Sequence, residues 1–198
     1  MAFDKVQDSG KRQEFSTGSK RDTDEGKGTP HLLPGEIMID IESFLGDALQ
    51  AYDYTEDKNL VLKRLAISIY DYGIIRSGDF QQTLIDAISD IIVLIALEEN
   101  KHYTDAFKRL AVHYQNGAIK YDKNNWRKGQ PISRYYDSAV RHLWKLQAGL
   151  IDEDHASALF WNLVAILQTK RDVKKGLLPK ELNDFPFMIS ETFNKLKD

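Results

Sequence analysis

Residues 80–100 read FQQTLIDAISDIIVLIALEEN, and from Leu84 to Leu97 the run is interrupted only by Asp86, Ser89 and Asp90. A helix that is apolar nearly all round has no solvent face and must be enclosed by neighbours. Its longest unbroken apolar run, IIVLIAL at 91–97, is far too short to cross a bilayer. The segment is therefore predicted to be the central helix of a water-soluble bundle. Asp86 and Asp90 lie one turn apart on it, where burial would cost each carboxylate several kcal/mol unless it is paired or metal-bound. Two arrangements meet that cost: a shared divalent cation, or a solvent-facing strip beside Thr83.

The remaining pattern supplies the other helices. EIMIDIESFLGDALQAY sets Ile37, Ile41, Phe44 and Ala48 on one face and Glu36, Asp40, Ser43 and Asp47 on the other. NLVLKRLAISIYDYG, DAFKRLAVHYQNGAIKY, SRYYDSAVRHLWKLQAG and DEDHASALFWNLVAILQT are each predicted as helices, with Ser133 as an N-cap and Gly149 as a C-terminal stop for the fifth. No strand pair is predicted. The fold class expected is all-α, a bundle of about six helices. Residues 1–20 are expected to be a disordered tail. Residues 21–198 form a single helical domain in this reading. The apolar LLP of RDTDEGKGTPHLLPGE must pack on something, and KKGLLPKELNDFPF is expected to lie across the bundle.

Composition limits the chemistry. The 198 residues carry a net charge of −3, which argues against a general electrostatic hold on nucleic acid or anionic membrane. With no cysteine there is no thiolate ligand, so a metal would use carboxylates, imidazoles and water, a donor set that favours Mg2+ or Mn2+. The N-terminus shows no apolar signal core, and a cytoplasmic location is expected.

Four groups of residues invite a functional reading. The DEDH turn at 152–155 gathers three acids and a histidine at a helix start, as a helix cap or as a metal or phosphate site. Asp137 and Arg141 are one turn apart, which fits a surface ion pair, and His142 follows on a neighbouring face. His155 and Asn162 share a face; Asn162 either stands behind a metal or bonds a backbone carbonyl. The loop region GAIKYDKNNWRKGQPISR places Lys120, Lys123, Arg127, Lys128 and Arg134 around Tyr121, Asn125 and Trp126, a pattern that suits a stacked base with neutralised phosphates and equally a solvated loop. EGKG at 25–28 lacks the spacing of a Walker loop, although Lys27 could reach a phosphate.

Taken in order, AVHYQNGAIKYDKNNWRKGQPISRYYDSAVRHL, AGLIDEDHASALFWNLVAI and GLLPKELNDFP, with RDTDEGKGTPHLLP upstream, resemble the dATP/dGTP diphosphohydrolase N-terminal family of phages and bacteria. The resemblance runs over roughly 14–34 and 104–187, which makes 36–103 an inserted helical subdomain relative to that family. It implies the MazG-type all-helical fold of the phage MazZ-like enzymes and hydrolysis of purine deoxynucleoside triphosphates to monophosphate and pyrophosphate. It also implies Mg2+ or Mn2+ held by Asp137, Asp154 and His155 together with Asp86 and Asp90, and catalytic roles for Asp137, Asp154 and His142. Lys27, Lys120, Arg134 and Arg141 would meet the phosphates, Tyr121, Asn125 and Trp126 the base, and Asn162 would support the site. A homo-oligomer is implied, and the cytoplasm of a bacterial host if the gene is a phage's. Gln115 departs from the acid that often precedes the GA pair, and a catalytically inactive nucleotide-binding or interaction module of a phage is the alternative function.

Overall fold

The computed structural model describes residues 10–22, 27–51, 57–74, 80–98 and 102–185, with side chains omitted at 22, 44–51 and 74. Six α-helices make up nearly all of it: α1 (Gly35–Ala51), α2 (Lys58–Ile74), α3 (Phe80–Ala96), α4 (Tyr103–Tyr121), α5 (Ile132–Gln147) and α6 (His155–Lys174). The all-α class read from the sequence is thus observed. Arg12–Glu14 (β1) and Lys20–Asp22 (β2) pair antiparallel, a short hairpin that starts in the stretch expected to be a tail and ends just beyond it. Residues 1–9 of that tail, and Glu25 and Gly26 of the EGKG loop, lie outside the described residues.

The central helix is where the apolar pattern requires it. α3 packs against α1, α2, α4 and α6, and every residue from Leu84 to Ile95 except Asp86 is buried. α6 is the second buried rod, enclosed from His155 to Thr169 with only Trp161 partly open. It forms an extensive pair with α5 and also touches α4 and α1. Ile37 and Ile41 seat α1 on the core as predicted, while the side chains of Phe44, Asp47 and Ala48 lie outside the described residues. The acidic face of α1 meets the end of α6: Lys175 Nζ donates to Glu36 at 2.7 Å and 2.8 Å, and Arg171 pairs with Asp40.

The loops are held by specific contacts. Thr29 N–H donates to the Ala111 carbonyl at 3.2 Å, and Gly28 takes a left-handed φ of +77° so closely against Ala111 that a Cβ there would lie 2.8 Å from the Ala111 Cβ. Buried Leu32 follows in the 3-10 turn Pro30–Leu32, so the LLP segment packs on α4 as expected. The tail after α6 does cross the bundle. Phe185 stacks on Tyr136 at 4.4 Å between centroids, and Leu178 and Leu182 close over Gly129. α5 begins one residue before the predicted cap. Pro131 holds the N-cap position, and Ser133 sits in the first turn, where its amide and hydroxyl donate to Asp184 at 2.9 Å and 2.6 Å. A long-range carboxylate thus does what sequence assigns to a local hydroxyl. No helix among the described residues is long and apolar enough to cross a membrane.

Candidate functional site

Helical spacing on α4 and α5 opens a cleft of about 450 Å3 between them, closed by the 122–130 loop and floored by α6. On α5 the repeat Arg134, Ser138 and Arg141 keeps two guanidiniums on one face toward the cleft. On α4 His113, Gly117 and Tyr121 do the same. The loop can turn inward because Asp122 and Asn124 adopt positive φ of 89° and 61°, and Asn tolerates the left-handed region well. The 3-10 turn Asn125–Lys128 then delivers Trp126, half-buried, edge-on to Tyr114 at 5.5 Å and 77°, with Arg127 over its ring at 4.7 Å. Trp161 meets Tyr135 at 5.6 Å and His113 at 5.7 Å. The lining is therefore aromatic with two arginines, and it suits a planar ring bearing negative charge. The Tyr114 hydroxyl and Trp126 Nε1 are buried donors with no hydrogen-bond partner among the described residues.

Beside this cleft stands a second cluster. His142, Glu153 and His155 each present one ligand atom, all within 4.8 Å of one another; it is the one such group found among the described residues. His142 Nδ1 lies 3.2 Å from His155 Nδ1. His155 is buried, and its Nε2 faces Asp152 Oδ1 at 2.9 Å. Lys145 donates to the same carboxylate at 2.8 Å, and these two hydrogen bonds pull the Asp152 pKa down to about 2. Burial lowers the His142 pKa, helped by the neighbouring His155, His113 and Lys145, while Glu153 works the other way. Burial likewise lowers His113, against the pull of Glu153 and Asp154. Both rings are thus biased to the neutral form, the form that binds metals and accepts protons.

The sequence-predicted residues divide between these places and others. Tyr121, Asn125, Trp126, Arg134, Arg141 and Asn162 all line the cleft. Asn162 Nδ2 also donates to the Ala158 carbonyl at 2.8 Å, so its amide is held by its own helix. His142 and His155 share the cluster. Lys120 is exposed, its Nζ 4.8 Å from the Tyr121 ring centroid, and Lys27 is exposed beside Gly28; neither lines the cleft.

The predicted carboxylates are not brought together. Asp154 caps α6, accepting from Ser157 N–H at 3.0 Å, and receives Arg109 Nε at 2.8 Å. Burial works to raise its pKa, but the Arg109 and Ser157 hydrogen bonds prevail and lower it. Asp137 is exposed on α5 and lines neither place. Asp86 is exposed and accepts from Gln82 Nε2 at 2.8 Å. Asp90 is buried, where Arg64 donates to its Oδ1 from Nε at 3.0 Å and Nη2 at 2.7 Å. The one-turn spacing of Asp86 and Asp90 thus separates an outward from an inward carboxylate. Glu153, His113, Tyr135 and Trp161 are the additions that only folding reveals. Glu153 alone carried a signal, as the middle of the DEDH turn.

Among the described residues, six helices carry a basic aromatic cleft beside a His–Glu cluster, and the chain is an all-α protein. Residues 85–176 match the family model described as dATP/dGTP diphosphohydrolase, N-terminal, the family that the sequence blocks resemble. The matched stretch begins inside α3, in the part read from sequence as an insertion, and it holds every cleft-lining residue except Leu32. It also contains His142, Glu153 and His155. No curated protein and no solved structure matches the chain.

Proposed function

We propose that this protein hydrolyses purine deoxynucleoside triphosphates, dGTP or dATP, to the monophosphate and pyrophosphate. The observation that carries the reading is the juxtaposition of two arginines and an aromatic cleft with a metal-capable cluster, inside a stretch that matches a family named for this activity.

In this reading Trp126 and Tyr121 flank the purine. Arg134 and Arg141 neutralise the triphosphate and the charge that grows on the leaving pyrophosphate. A divalent cation bound at His142, Glu153 and His155 would supply charge neutralisation and a more acidic water; two imidazoles and a carboxylate within 4.8 Å fit such an ion. The oxygen of an attacking water bonds to the α-phosphorus as the bond to the α–β bridging oxygen breaks and pyrophosphate leaves with that oxygen. His113, whose pKa burial lowers and which faces the cleft, takes the proton. Asp154 and Asp137 act, on this view, outside the chemistry: Asp154 through the α6 cap and its pair with Arg109, Asp137 as a surface charge.

The test is incubation with dGTP or dATP and Mn2+, with nucleotide products separated by chromatography. Monophosphate and pyrophosphate in equal amounts are expected, with KM raised in Trp126→Ala and turnover lowered in Arg141→Ala. Binding without product would instead favour an inactive nucleotide-binding module. Neither binding nor product would remove the nucleotide reading altogether.

A further inference from the structure

We infer that His142, Glu153 and His155 form a site for a first-row transition cation, preferred over magnesium, with Asp152 as the residue that orients His155. The inference deepens the hydrolase reading by naming the ion, yet a binding assay judges it independently of turnover.

The argument starts at Asp152. A carboxylate accepts hydrogen bonds, so the 2.9 Å contact is met by a hydrogen on His155 Nε2, the tautomer that leaves Nδ1 with its lone pair for a cation. That lone pair is directed at His142, 3.2 Å away. Two nitrogens at that separation, each about 2.1 Å from one ion, subtend about 100° at it, an angle that suits tetrahedral and octahedral sites alike. Glu153 is exposed on the turn just ahead of α6, and rotation of its side chain can bring an oxygen to the same point.

The donor chemistry then selects the ion. Imidazole nitrogens suit iron, nickel, copper and zinc, and even manganese, the weakest-binding of the first-row divalent series, accepts them more readily than magnesium, which takes oxygen ligands in near-ideal octahedra and releases its waters reluctantly. A buried histidine whose far nitrogen is held by a carboxylate is also the usual outer arrangement of a metal-bound imidazole. Here that carboxylate is itself pinned by Lys145 at 2.8 Å. The competing account is a simple N–H···N bond between the two rings, which needs neither Glu153 nor Asp152.

Metal-free protein titrated with Co2+ and followed by visible absorption distinguishes them. One equivalent is expected to give a d–d band of nitrogen-ligated cobalt, and calorimetry is expected to find Mn2+ bound more tightly than Mg2+. His142→Ala and Glu153→Ala, both at partly or fully exposed positions, should abolish the band while circular dichroism shows an intact fold. Asp152→Asn should keep the band but weaken binding about ten- to a hundredfold. No band, a band unchanged in His142→Ala, or tighter binding of Mg2+ than Mn2+ overturns the inference. Cobalt binding without nucleotide hydrolysis would leave this site standing and sink the hydrolase reading; hydrolysis without the band would do the reverse.

Discussion

Arg64→Met is the most informative single perturbation of the fold, because it separates a structural carboxylate from a ligand. Asp90 is only 4% exposed and takes two hydrogen bonds from one guanidinium, whose side chain is a third exposed. At such spacing two unit charges attract by about 4 kcal/mol in the effective dielectric of a protein edge, which offsets the cost of burying the carboxylate. Removing Arg64 takes these two donors from a carboxylate held in the core beside α2, and breaking a buried pair costs about 3–5 kcal/mol. Because Arg64 is itself partly solvated, the lower end, about 3 kcal/mol, is expected. For a chain of this size that corresponds to a fall in Tm of roughly 6–12 °C. The double variant Arg64→Met/Asp90→Leu removes both charges and should return to within about 1 kcal/mol of the parent. Urea and thermal unfolding of the two single variants and the double complete the cycle. A loss under about 1 kcal/mol in Arg64→Met would refute the reasoning, and loss of cation binding in Asp90→Asn at unchanged stability would return Asp90 to a metal site.

Gly28→Ala should cost about 2–3 kcal/mol, since a left-handed φ and a Cβ 2.8–2.9 Å from the Ala111 Cβ and the Val112 nitrogen act together. Gly149→Ala, with a similar φ of +69° and open space around it, should lose only about 1 kcal/mol in the same urea titration. In metal-free protein, stability should decline as pH falls below the ordinary histidine value of 6.5, because His113 has a lowered pKa when folded and the unfolded chain therefore binds more protons in that window. His113→Gln should flatten that acid limb, and an unchanged pH profile would contradict burial as the cause.

Local pattern determined much of this protein. The all-round apolar run at 84–97 had only one place to go, the middle of a helical bundle, and helical periodicity placed Arg134 with Arg141 and Ile37 with Ile41 on shared faces. The aromatic and basic character of the 121–128 stretch was equally legible, because an inward tryptophan in a polar loop needs a contact. Tertiary structure decided which carboxylates are engaged and by what. Asp90 meets Arg64 from 26 residues away, Asp154 meets Arg109 from 45, and Asp184 caps a helix 51 residues upstream. Spacing along one helix sets which side chains share a face, but it says nothing of the cation another helix brings to that face. For the same reason the nearness of His142 to His155 across the α5–α6 turn, and of His113 to His142, was settled only when the helices packed, since it depends on their relative rotation and on no residue pattern within any one of them.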